Sequence, residues 1–274
     1  MTLSRYRLLT SSGPLRLYRL RVDLNVPTVR LGLGLAHEQL ISRDETVSSM
    51  VGRTQAVAGV NGDFFDIGDS GMPLNIVVRN GELLRSPSSR AALTVGKDGS
   101  AAIVRYDWDG SLVLPDAHTS YWIAGFNTGL VREGITALSN VRGYGAPPPD
   151  PGVRQTVVEL APSDQAQPTS ADSGFSLVPE PSPSAGVPYH VKQVWPGQAY
   201  YAPFPRGEML LVGRGRASDW LRDRVTAGAD ALLNLATTPD WRSAHLAIGG
   251  GPLLVEHGRV VDDPRSPAPH ERYV

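Results

Sequence analysis

The chain has 274 residues, 41% of them hydrophobic, which is enough to bury one large core or two modest ones. A formal net charge of −1 implies no basic face for nucleic acid, and no apolar run approaches the ~18 residues of a membrane-spanning helix. With no cysteine, disulfides, thiolate catalysis and Cys-type metal sites are excluded.

The opening MTLSRYRLLTSS lacks the apolar stretch of a secretory signal. Leu15, Leu17, Leu20, Val22 and Leu24 keep near a period of two, and Val29, Leu31, Leu33 and Leu35 keep it strictly. The spacing predicts strands over 15–24 and 29–35 with a turn at Pro27. Residues 44–53 predict a short helix: an acidic first turn, Val47, Met50 and Val51 on one face, and a stop near Gly52. A small-residue strand over 56–60 is expected to deliver Asn61 to its end. Asn80-Gly81 and Asp98-Gly99 predict two hairpins, because both turn positions favour positive φ. Further strands are expected near 111–114, 121–126, 153–160 and 208–212. Residues 161–188 are rich in Pro, Ser, Ala and Gly and read as a polar insertion outside the core. A helix over 218–227 follows, with Ser218 as N-cap and Trp220, Leu221 and Val225 facing inward. The fold class is α+β: a strand-dominated mixed sheet with few helices. Residues 1–54 form an N-terminal segment packing on a main domain over 55–274.

Three local patterns resemble active sites and are better explained as turns. Gly68-Asp69-Ser70-Gly71-Met72-Pro73 looks like a serine-nucleophile loop, but only His37 precedes it. Gly213-Arg214-Gly215-Arg216-Ala217-Ser218 follows a strand and opens a helix, yet lacks the third glycine and acidic partner of a dinucleotide loop. The six histidines show no metal-ligand spacing, and no metal is assigned.

Two stretches carry chemistry. Asn61-Gly62-Asp63-Phe64-Phe65-Asp66 sets two carboxylates three residues apart beside aromatic rings. A carboxyl held against such rings is desolvated, which raises its pKa towards general-acid range, while an ionised partner can stabilise an oxocarbenium-like centre. As a plain turn, the same stretch would put both phenylalanines in the core. Asp66, Asp69 and nearby carbonyls offer calcium a set of hard oxygens, so a cofactor is either absent or calcium. In Ile248-Gly249-Gly250-Gly251-Pro252, three glycines either make a turn or let backbone N–H groups converge as an anion nest.

Taken in order, several motifs make the chain resemble the phosphodiester glycosidase family. They are ETVSSM (45–50), AVAGVNGDFFD (56–66), the SGMP turn with the NGEL hairpin (80–83), AGFN (124–127), LVGRG (211–215) and AIGGGPLLVEHGRVV (247–261). The resemblance implies hydrolysis of a sugar-1-phosphodiester at the anomeric carbon, outside the cytoplasm, on bacterial glycopolymers. It implies a carbohydrate phosphodiester as substrate, with Asn61, Asp63, Asn127, Gly249, Gly250 and Gly251 around the pocket; the residues themselves add Asp66 to Asp63 as catalytic carboxylates, and Gly62 and Asn75 to the substrate contacts. His270 and Arg272, at the end of the chain, join that substrate-binding set. Two departures are visible. Asn75 stands where the family carries glycine, and the chain stops at His270-Glu271-Arg272-Tyr273-Val274. The family continues with an Arg-Thr-Ala strand, a helix and a strand ending in Leu-Asp-Gly-Gly-Gly-Ser. The expected domain is therefore incomplete at its C-terminus, with a second chain one way of completing it. A non-catalytic carbohydrate- or phosphate-binding scaffold is the alternative function.

Overall fold

The computed structural model describes residues 1–143, 145–163 and 186–261. It divides into two compact units, Met1–Leu33 and Gly34–Val274. The division falls well before residue 54, so the first helix belongs to the larger unit.

The first unit is a hairpin of β1 (Thr2–Thr10) and β2 (Gly13–Arg21), paired from Thr2 opposite Arg21 to Thr10 opposite Gly13. Gly13 adopts φ +113° at the turn, a conformation that glycine accepts without strain. Its first strand was not anticipated, and no strand forms over 29–35.

The larger unit begins with α1 (Val47–Thr54), capped by the Thr46 hydroxyl, which accepts the Ser49 N–H. Glu45 accepts hydrogen bonds from Arg53, from the His37 N–H and from Ser49 Oγ, and these, the Arg53 bonds foremost, hold the Glu45 carboxyl down at about 2. Residues 56–60 form no strand. Gly59 instead runs so close to α1 that a Cβ would meet Val51 at 2.5 Å. The reason is topological: this run finds no neighbouring strand, so its alternation has nothing to pair with.

Both expected hairpins form. The first joins β3 (Val77–Arg79) to β4 (Glu82–Arg85), and the second joins β5 (Ala91–Gly96) to β6 (Ala101–Arg105). The remaining strands are β7 (Asp107–Leu114), β8 (Thr119–Phe126), β9 (Gly134–Ser139), β10 (Gln155–Pro162), β11 (Val187–Pro196), β12 (Met209–Arg214), β13 (Asp230–Thr238) and β14 (Ala244–Gly249). A small pair, β15 (Val255–Glu256) and β16 (Arg259–Val260), ends the described chain. Strands β10, β11, β13, β7, β8, β9 and β12 close a barrel in that order, antiparallel except for the parallel pair β8–β9. A five-stranded antiparallel sheet runs β4, β3, β14, β5, β6. The architecture is thus strand-dominated, with two α-helices among the described residues.

Period-two alternation explains the cores. Along β10 and β12, Val158, Leu160, Met209 and Leu211 enter the main core, while Val157, Leu210 and Val212 enter a second cluster with Phe204. The main core also takes Ile76, Val78, Leu83 and Ala247 from the five-stranded sheet, so sheet and barrel share one interior. Each fully buried aliphatic side chain contributes about 1.5–3 kcal/mol.

Helix α2 (Arg216–Arg224) begins two residues before the expected Ser218, with Gly215 as its N-cap. A Cβ on Gly213 would meet Leu221 at 2.5 Å, so this glycine admits the helix against β12. Glu133 accepts the Arg216 N–H and thereby occupies the helix N-terminus. The Gly-Arg-Gly-Arg corner is therefore a packing device, as its sequence suggested. Residues 164–185 of the expected insertion lie outside the described residues, and its flanks extend β10 and β11.

Asn127, at the end of β8, has φ +52° and is fully buried. Its amide donates to Leu84 O (2.8 Å) and Ser139 Oγ (2.9 Å), and its Oδ1 accepts the Ser139 N–H (2.8 Å). It stitches the five-stranded sheet to the barrel at the parallel strand pair. Asn127→Ala should lower the unfolding free energy by about 2–4 kcal/mol, since buried backbone groups would lose their partners. Urea denaturation followed by far-UV circular dichroism measures this.

Candidate functional site

The site is built at one end of the five-stranded sheet, where β14 lies between β3 and β5. Gly249 N–H donates to Ile76 O just before β3, and Gly250 N–H donates to Ala91 O at the start of β5. Asn75 spans this end of the sheet. Its amide donates to Arg90 O and Ala91 O (3.3 Å each), and its Oδ1 accepts the Ser88 N–H (2.8 Å). To reach those carbonyls it must pass over β14. A Cβ on Gly249 would stand 2.4 Å from the Asn75 Cβ and 2.8 Å from the Asp63 Cγ.

The glycine run and the acidic corner thus meet, although nearly two hundred positions separate them. Gly62 packs on Ile248, where a Cβ would come within 2.4 Å of the Ile248 side chain. Phe64 lies against Gly251. Asp63 Oδ2 accepts the Asn75 N–H at 2.6 Å. Burial pushes the Asp63 carboxyl above the ordinary aspartate range, opposed by N–H donors from Asn75 and Phe64 and by the charges of Arg85 and Arg90. Its Oδ1 is enclosed and has no hydrogen-bond partner in the protein.

Several expected roles change here. The triple glycine is not an anion nest, because the first two N–H groups are spent on sheet carbonyls. Gly249 admits the Asn75 and Asp63 side chains where a Cβ would collide, and Gly251 meets the Phe64 ring at ordinary contact distance. Asn75 and Asn127 are fully buried with both amide ends engaged, so they hold the backbone and present nothing to a ligand. Asp66 does not pair with Asp63. Residues 64–74 fold back on themselves, with Leu74 N–H donating to Phe64 O and Asp66 N–H to Met72 O, and Asp66 Oδ2 accepts the Ser70 hydroxyl at 2.8 Å. The Ser70 loop is therefore a turn closed by Asp66, with Gly71 at φ +65° against Ser42 O. Among the described residues no three His, Cys, Asp or Glu side chains gather. Asn61 is exposed. His270 and Arg272 lie outside the described residues.

Phe64 and Phe65 are not core residues, being 43% and 39% exposed. The Arg90 guanidinium lies 5.8 Å from the centroid of the Phe64 ring, a cation–π contact at the surface. Arg85 went unnoticed in the sequence, yet it is only 6% exposed and faces Asp63 electrostatically. Burial depresses its guanidinium to about 10, partly offset by the Asp63 charge. A signal was available: Arg85 shares the period-two face of β4 with the core residue Leu83. A charge on an inward face usually has a purpose.

Two open cavities are lined by residues other than those of this corner. One, of about 580 Å³, is lined by Met1, Thr2 and the end of β2; the other, of about 350 Å³, lies beside His190 and Asp230. The corner itself is closely packed around the enclosed Asp63 Oδ1.

Gly249→Ala should cost about 3 kcal/mol, because the new methyl meets main-chain-anchored atoms. Adding Asn75→Gly should recover part of that loss, a coupling readable in a double-mutant cycle of urea midpoints. A second prediction concerns pH. The unfolded Asp63 loses its proton first, because its folded carboxyl is held higher. Its contribution to stability therefore falls as pH rises from the ordinary aspartate range through the raised folded value, and is constant above. Asp63→Asn should remove that component, so the variant gains on the wild type across that interval; a pH series of urea midpoints reads the crossover.

No family model and no curated protein matches the chain. Among solved structures, a hypothetical protein from Synechocystis is similar with a TM-score of 0.71 at 16% identity, over 95% of this chain and 44% of its own. A "Putative exported protein" from Burkholderia pseudomallei K96243 is similar with a TM-score of 0.59 at 19% identity, over 84% of this chain and 48% of its own. The likeness is one of fold, and this chain spans less than half the length of either protein.

Proposed function

We propose that this chain carries a sugar-1-phosphodiester hydrolase site of the phosphodiester glycosidase type, built from Asp63, Arg85, Arg90, Phe64 and the Gly249–Gly250–Gly251 bend. The observation that carries this reading is the close packing of Asp63 against Gly249, which joins the two most chemistry-bearing motifs into one corner. An aromatic ring, a cation and a desolvated carboxyl within that corner match the needs of a carbohydrate bearing an anionic group.

The chemistry asks little of an acid. Phosphate is a competent leaving group, so the main demands are positioning and stabilisation of charge at the anomeric carbon. Ionised Asp63 supplies negative charge to the oxocarbenium-like centre, and the exposed Arg90 offers a positive charge to the phosphodiester. Asp66, committed to its own turn, takes no part, so the two-carboxylate version of the mechanism is replaced by a single buried carboxylate. Water bonds to the anomeric carbon as its bond to the phosphate oxygen breaks, so free sugar and a phosphomonoester leave. The exported description of one structural neighbour supports an extracytoplasmic location, where bacterial glycopolymers offer such linkages.

The test is release of free sugar from a chromogenic sugar-1-phosphodiester. Asp63→Asn should lower kcat/KM by about 10²–10³ while the variant stays folded. Near-normal turnover by Asp63→Asn would remove Asp63 from the mechanism. Sugar binding without release in the wild type would leave the non-catalytic scaffold in its place.

A further inference from the structure

Arg85 ends β4 with its guanidinium almost wholly buried, and neither its Nε nor its Nη1 has a hydrogen-bond partner. Asp63 Oδ1, within its electrostatic reach, is enclosed and equally unpartnered. No ion pair joins the two carboxylate and guanidinium groups among the described residues. Burying a charge in this way is unfavourable unless something completes its hydrogen bonds, so a fold that served stability alone would place an apolar side chain here.

The two orphaned sets are complementary. Arg85 offers only donors and Asp63 Oδ1 only an acceptor. A group that satisfies both must accept and donate together. A phosphodiester oxygen accepts only, and carries the same sign of charge as the carboxylate. An ammonium group donates only, and carries the same sign as Arg85. A hydroxyl does both.

We propose that Asp63 and Arg85 together grip one hydroxyl of the sugar ring, Arg85 donating to its oxygen and Asp63 Oδ1 accepting its proton. Arg85 is then a specificity-determining residue, selecting ligands with a free hydroxyl at that ring position. Arg90, outside the pair, is left to the anionic group. The proposal rests on reading this corner as a carbohydrate site, and it holds whether or not turnover occurs. A water molecule has the same donor and acceptor inventory, so the experiment must separate water from sugar.

The probes are methyl α-glycosides of glucose, mannose and N-acetylglucosamine with their monodeoxy analogues, titrated calorimetrically into the full chain. For the glycoside that binds, one monodeoxy analogue should bind about 10–100-fold more weakly, the range of a hydrogen bond to a charged group. Arg85→Met should bind parent and deoxy analogue with equal, weakened affinity. Should that variant not fold, Arg85→Met/Asp63→Asn removes both charges at similar volume; its Tm should match or exceed the wild type while the discrimination is lost. If wild type binds a glycoside but every monodeoxy analogue binds within about twofold, or if the variants keep the discrimination, the pair holds only water and the inference fails while the sugar reading stands. Failure of the wild type to bind any of the glycosides would remove the sugar reading itself.

Discussion

The passage of the Asn75 amide over Gly249 is the contact on which the rest of this corner depends. It ties the start of β3 to the start of β5 across the strand between them. With the side chain fixed there, the Asn75 N–H points at Asp63 and sets that carboxyl against the end of β14. A Cβ at position 249 would break the crossing.

That crossing has an electrostatic consequence. It closes the site around Asp63 and Arg85, leaving opposite charges near each other in a medium that solvates them poorly. Proteins tolerate such arrangements where binding or chemistry benefits, because preorganised charge acts on a ligand without reorganisation. The surrounding structure supports the cost through ordinary means: a shared apolar interior between sheet and barrel, and the Asn127 stitch where they meet. Both buried amides serve the scaffold, and in the proposed reading the ligand is left to a carboxylate, two arginines and an exposed ring.

Much of the local structure was legible before any tertiary information. Asn80-Gly81 marks its hairpin because both residues take positive φ, and Asp98-Gly99 marks the other because Gly99 does. The acidic and glycine-rich motifs stood out because residue types that weaken regular structure were packed beside apolar runs. Failures came where the outcome depended on a distant partner. Residues 56–60 have strand composition and no strand to pair with, while 2–10 pair with β2 without an obvious pattern of their own. Phe64 and Phe65 look like core residues by hydropathy alone, yet the fold leaves them at the surface.

The sequence by itself determined where the chain turns, which segments alternate, and that two corners hold the unusual side chains, since all of these follow from backbone preference and spacing over a few residues. Only the tertiary structure decided which N–H groups of the glycine run are free, that Asp66 closes its own loop, and that Arg85 faces Asp63. Those outcomes turn on strand order in a sheet whose neighbours β3, β14 and β5 are far apart along the chain. Hydrogen-bond partners and desolvation are properties of that juxtaposition, and no short stretch of residues encodes them alone.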